Sequence, residues 1–250
     1  MRKYLMGAAA LAAFAAPGLA HADSAQVGLG IANADFSGGG GDADFLRLEG
    51  AYSHNTGNGL VLQLDGLHDR IDIGPGDLGN SYGAVNLGVR SDTHAFYGFV
   101  GLSDMVALSG VNLGIGGQLY MSRATINASL GYADFDTADV SITDLHVDGT
   151  WFFTDNFGVG AEAGWAEGEF SPDIDWTTLG LFGTYRFAGS PVSVNLGYRN
   201  QDFDGGGEVD TWRLGFTYNI GTSSEIERSR DGASFNGARE LFESSYVLLY

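Results

Sequence analysis

The stretch Thr211–Ile220 reads TWRLGFTYNI. Trp212, Leu214, Phe216, Tyr218 and Ile220 fall on one side of the alternation. Thr211, Arg213, Gly215, Thr217 and Asn219 fall on the other. Side chains alternate faces along an extended strand, so this segment carries one apolar and one wet face. The fold turns on what the apolar face touches.

The pattern repeats along the chain. Val111, Leu113, Ile115, Leu119 and Met121 alternate with Asn112, Gly114, Gly116 and Gln118. Val192, Val194, Leu196 and Tyr198 alternate with Ser193, Asn195, Gly197 and Arg199. Twelve strands are predicted, at 25–36, 43–54, 58–69, 80–91, 94–102, 108–121, 123–134, 140–153, 155–168, 174–187, 190–202 and 208–220. Most reach the ~9–11 residues that a tilted strand needs to cross hydrocarbon. The segment 94–102 is ambiguous, because Phe96, Tyr97 and Phe99 populate both faces. Connections alternate between short turns such as NTGN (55–58) and longer Gly/Asp-rich loops such as DIGPGDLGN (72–80). Short turns at one end and longer loops at the other mark an outer-membrane barrel, with the short set periplasmic.

Periodicity alone also fits a soluble sandwich, which is the competing fold. Three features favour lipid. Aromatics on the apolar faces gather near strand ends: Tyr52, Trp151, Phe153, Phe157, Tyr185, Phe187 and Tyr218 at the periplasmic rim, and Tyr132, Trp165, Tyr198 and Trp212 at the other. Such rings favour the membrane–water interface. The wet faces are rich in Gly and polar residues, as a lumen wall would be. Closure also removes the sheet edges that lipid cannot satisfy. The predicted fold is therefore an all-β, antiparallel up-and-down transmembrane barrel over 23–220, of twelve strands, with ten or fourteen as alternatives.

Residues 1–22 read as a signal peptide. Arg2 and Lys3 precede the apolar run Leu5–Ala16, Pro17 and Gly18 break it, and Ala20-His21-Ala22 fits a small-x-small cleavage site. The remaining chain holds ten Arg, no Lys and 31 Asp+Glu, a formal −21, and no Cys. That balance argues against nucleic acid as a partner. Residues 221–250 are predicted to hang in the periplasm as a short tail. The alternatives are a short helix over Gly237–Ser244 and an insertion signal ending at Tyr250, with Tyr246 and Leu248 in step.

Signal peptide, lysine-poor acidic chain, Gly-rich alternating hairpins and girdle aromatics together make the sequence resemble a small Gram-negative outer-membrane porin of the alphaproteobacterial type. The resemblance implies residence in the outer membrane, contact with its lipid and lipopolysaccharide, and passage through the insertion machinery. Acidic loops could meet lipopolysaccharide through divalent cations, although no ligand spacing of the EF-hand type appears. The oligomeric state is left open.

The wet faces hold the candidate functional residues. Closure brings the strands bearing Arg47, Arg199 and Arg213 together, so three guanidinium groups should share one wall. Glu49, Asp65, Asp144, Asp148 and Glu162 occupy the rest of the lumen. Opposed charges in a narrow lumen set ion selectivity. Equally, such charges can pair and plug the barrel. No catalytic motif appears, and His146 between Asp144 and Asp148 reads as a lumen-lining histidine. No cofactor or metal is expected. The predicted function is a passive channel for small hydrophilic solutes or ions, cation-preferring because its mouth is acidic. An outer-membrane barrel enzyme acting on lipid and a structural or adhesive barrel are the alternatives.

Overall fold

The computed structural model describes residues 23–37, 41–72, 77–105, 108–136, 140–169 and 173–246. The segment predicted as a signal peptide (1–22), and Leu248 and Tyr250 at the chain end, lie outside the described residues. Twelve strands form one sheet: β1 (Asp23–Phe36), β2 (Gly41–Asn55), β3 (Leu60–Asp72), β4 (Asp77–Arg90), β5 (His94–Met105), β6 (Leu108–Met121), β7 (Ala124–Phe135), β8 (Val140–Thr154), β9 (Phe157–Glu169), β10 (Ile174–Arg186), β11 (Val192–Phe203) and β12 (Glu208–Ile220). Each pairs antiparallel with its neighbours in sequence. β1 closes on β12, in register from Ala25↔Ile220 to Phe36↔Val209. No sheet edge remains among the described strands, so their ladder groups find partners without water, with one irregularity at Phe152/Thr154.

The alternation sets the two faces. Along β5 burial switches at nearly every residue. Phe96, Val100 and Leu102 point outward and are exposed, whereas Ala95, Tyr97 and Phe99 point inward and are buried. This resolves the ambiguous segment. Around the barrel the outward side chains form a continuous apolar band. Ile31, Leu87, Ile115, Leu179 and Leu181 are each 56–63% exposed. Soluble monomers rarely expose apolar surface on that scale, and lipid is its matching solvent. The girdle aromatics all lie on this outer face. Tyr198 packs beside Trp212 at 4.8 Å between ring centres, and Phe153 beside Phe157 at 5.6 Å.

Two expectations need correction. The connections at the two ends differ little in length, without the marked asymmetry predicted. Those at 56–59, 91–93, 122–123, 155–156 and 187–191 run two to five residues, and those at 37–40, 73–76, 106–107, 136–139, 170–173 and 204–207 run two to four. The Asp- and Gly-rich segments predicted as loops continue the strands instead, as in the pairs Asp44↔Asp72 and Asp72↔Asp77. A neighbouring strand that runs on supplies backbone partners whatever the side chains are.

The second correction concerns residues 221–250, predicted to hang free. The chain turns sharply at Gly221, whose φ of 79° and close approach to the Asp23 carbonyl suit only glycine. It then enters the barrel as α1 (Glu225–Asp231) and α2 (Gly237–Ser244). α1 starts at Ser224, whose hydroxyl accepts from the Glu227 N–H at 3.2 Å, and closes with the Gly232 N–H on the Arg228 carbonyl. α2 packs on the inner wall formed by β4–β8. Its Leu241 and Phe242 are fully buried. The physical reason is complementarity. The tail carries Phe235, Leu241, Phe242 and Tyr246, and the wall offers Phe45, Tyr82, Tyr97, Phe99 and Trp176 facing inward. Phe235 stacks on Tyr97 at 4.2 Å, Phe242 meets Tyr82 at 4.9 Å, and Tyr246 stacks on Phe45 at 5.9 Å. Burying one such ring contributes about 1.5–3 kcal/mol.

Candidate functional site

The tail is seated at three levels. At its foot Glu225 is fully buried, and its carboxylate accepts from Thr184 at 2.9 Å, from Ser193 and from Arg228 at 2.9 Å. Burial pushes this carboxyl up, but the Arg228 charge and these hydrogen bonds outweigh it and hold it below its ordinary value. At mid-height Gln63 and the Phe235 backbone exchange two hydrogen bonds, 2.6 and 3.0 Å long. The Asn236 amide donates to Asp148 at 2.9 Å, and the Gly237 N–H donates to the Tyr97 hydroxyl at 3.1 Å. Gly131 of β7 makes room for α2, since a Cβ there would stand 2.9 Å from a Leu241 methyl.

The third level is a cluster of charge around Glu243. This buried carboxylate accepts from Arg47 at 2.6 Å, Arg199 at 2.8 Å, Arg213 at 2.6 Å and Arg239 at 3.0 Å. Burial works to raise its pKa, and the four guanidinium groups override this, holding it well below the usual carboxylate range. Arg47 also makes a forked contact with Asp69, at 2.9 and 2.8 Å. Arg199 does the same with Glu162, at 2.9 and 2.5 Å, and its Nη2 reaches Glu240 at 2.6 Å. Such bidentate, charge-assisted bonds are the strong kind. Gly180 of β10 clears the space for Glu162, because a Cβ there would collide with that carboxylate.

All eight lumen residues singled out from the sequence face inward. Arg47, Arg199 and Arg213 lie on the adjoining strands β2, β11 and β12, with β1 between, and converge on one carboxylate. Glu49 does not pair with its strand neighbour Arg47. It meets Arg239 of the tail at 3.2 Å. Asp65 accepts from Gln63 at 2.8 Å, Asn86 at 2.6 Å and Tyr82 at 3.2 Å. Asp148 accepts from Asn127 at 2.6 Å, and Asp144 is buried on the same face of β8, with His146 between them. Sequence reasoning missed Asp69, Arg239, Glu240, Glu243 and Tyr246. Four of these five are in the tail. The available signal was the pair Tyr97 and Phe99 on an otherwise wet face.

The tail does not fill the lumen completely. Opposite α2 a cavity of about 280 Å³ remains, with Gln26, Glu49, Asp65, Glu162, Thr217 and Arg239 among its lining. A second, of about 30 Å³, lies against Ala34, Phe45, Arg199, Gln201 and Tyr246. Arg47 and Arg213 border both cavities, so the guanidinium–Glu243 cluster is the partition between them.

No family model and no curated protein matches the chain. Solved structures do match it in fold. An outer membrane channel from Pseudomonas putida F1 aligns with a TM-score of 0.61 at 10% identity, over 82% of this chain and 97% of that one. The NanC porin aligns at 0.56 and 11% identity, over 77% and 100%. The CymD monoaromatic hydrocarbon channel aligns at 0.55 and 8%, over 81% and 89%. The chain therefore shares the fold of outer-membrane porins and channels. At these identities the likeness is one of fold.

Proposed function

We propose that the protein is an outer-membrane, porin-like channel for small hydrophilic solutes or ions, closed by its own C-terminal segment. The observation that carries this reading is the pair of cavities separated by the Arg47–Arg213–Glu243 partition. One side of the partition is barrel wall and the other is a separable tail, so moving the tail joins the cavities. Acidic strand ends such as Asp42, Asp44, Glu169 and Asp202 favour cation entry. The lining carries several carboxylates and amides and needs no cofactor for passage.

A structural barrel is the second reading. It is favoured by inward apolar residues at the end away from the tail's foot, where Ile71, Met105, Phe135 and Ile142 are fully buried. Planar-bilayer recording separates the two. The chain ending at Gly221 should conduct in discrete steps, and the full chain far less. A folded, silent truncated barrel would refute the channel and support the structural reading.

A further inference from the structure

His146 projects from β8 into the lumen and is 96% buried, yet its Nε2 has no hydrogen-bond partner. Two carboxylate oxygens face it, Oε2 of Glu162 at 3.5 Å and Oε2 of Glu240 at 3.6 Å. These separations are too long for good hydrogen bonds. They match a different geometry. Metal–ligand bonds of ~2.0–2.2 Å in a tetrahedron place neighbouring ligand atoms ~3.3–3.6 Å apart. Two edges of such a tetrahedron are thus in place, and the third, between the two carboxylate oxygens, lies within 4.8 Å and closes as the ion draws them together.

We propose that His146, Glu162 and Glu240 form a divalent transition-metal site of the Zn²⁺ type that pins the tail to the barrel wall. One imidazole and two carboxylates suit that ion, and the fourth position is left for water. The site spans two bodies. His146 and Glu162 belong to the neighbouring strands β8 and β9, and Glu240 to α2.

The charge balance points the same way. Asp144 and Asp148 flank His146 on its own strand face, so four carboxylates crowd a region served by two guanidinium groups, Arg199 on Glu162 and Glu240 and Arg213 at 3.4 Å from Glu162. A low-dielectric lumen with that surplus attracts cations. Arg199 Nη2 now bridges the two carboxylate oxygens, at 2.5 and 2.6 Å. A bound cation takes over that bridge. The guanidinium is rigid and planar, so Arg199 turns as a unit, releasing its fork on Glu162 and pivoting on the Nη1 bond to Glu243, now 2.8 Å long. Glu162 and Glu240 both line the larger cavity, which supplies a wet route for the ion.

Pinning rests on the tail being the movable closure, but binding itself does not require conduction. The test uses the full chain, folded in detergent and stripped with a chelator. Zinc titration by calorimetry should give one site per chain. His146→Ala and Glu240→Gln should each weaken it at least tenfold, and His94→Ala, at a remote turn, should leave it intact. Glu240→Gln alters only the tail, so the barrel's heat-modifiable gel mobility should persist and confirm a folded protein. Zinc should also slow tryptic cleavage after Arg239 in the unmodified chain and not in Glu240→Gln. Absence of a stoichiometric site, equal affinity in both variants, or binding without tail protection overturns the proposal. A zinc site in a barrel that never conducts would leave this site standing and refute the channel instead.

Discussion

Glu243→Gln is the sharpest perturbation of the tail's seat. Gln keeps the size of the side chain and removes the charge that four guanidinium groups share at 2.6–3.0 Å. It also turns an NH₂ toward donors that have nothing to accept it. Removing one partner of a buried ion pair costs about 3–5 kcal/mol, mostly because the other charge stays buried. Each 1.4 kcal/mol is a factor of ten, so the docked-to-undocked ratio of the tail should fall by roughly two to three and a half orders of magnitude. The barrel should survive, since its closure rests on backbone ladders that do not involve the tail. Trypsin reads the change directly. Arg239 is shielded inside the lumen when the tail is docked, while strand arginines are protected by the sheet. Where opening is fast relative to cleavage, the rate follows the undocked population. Cleavage after Arg239 should therefore accelerate by a comparable factor, and channel openings should become more frequent. Unchanged cleavage and unchanged conductance in a folded Glu243→Gln protein would refute the assignment of Glu243 as the main lock.

Other consequences can be checked separately. Gly131→Val should press on Leu241 and loosen α2 by about 1–3 kcal/mol, read as faster cleavage after Arg239; unaltered kinetics would mean that α2 does not rest on β7. In the chain ending at Gly221, Arg213→Ala should shift the reversal potential in a salt gradient toward stronger cation preference, and no shift would remove Arg213 from the selective wall. Lipids brominated in their chains should quench Trp151, Trp165 and Trp212, which are 41–56% exposed on the outer face, but not Trp176, buried with its indole N–H on Ser244 at 3.2 Å. Equal quenching of all four would contradict the inside–outside assignment. For acid, the sign follows from Glu243 and Glu225, both held below the ordinary carboxylate value. Their contribution to docking is fully present above the unfolded value near ~4.3 and is lost only as pH falls through the lower, docked values. Conductance of the full chain should stay low from pH 7 to about 5; opening within that range would show that another group controls the tail.

The strand set was legible in the sequence because a strand in a barrel wall has two unlike solvents. Lipid on one side and a polar lumen on the other force a period of two, and β6 at 108–121 and β12 at 208–220 keep the bounds read from it. The outward direction of the aromatics at the strand ends was legible for the same reason, and so was the inward direction of Arg47, Arg199 and Arg213. Loop lengths were misread because Asp and Gly pair along a backbone ladder as well as any residue once a neighbouring strand continues. The tail's place was decided only in three dimensions. Residues 221–246 carry no strand-long alternation, and most of the side chains that seat them lie far away in sequence. Their partners, among them Arg47, Asp69, Tyr82, Tyr97 and Trp176, are spread over five strands and meet only after the barrel has closed. A helix of eight residues gains little from its own propensity, so α2 is held by the cavity that receives it. Local periodicity could specify the wall; what the wall encloses depends on contacts that no local pattern encodes.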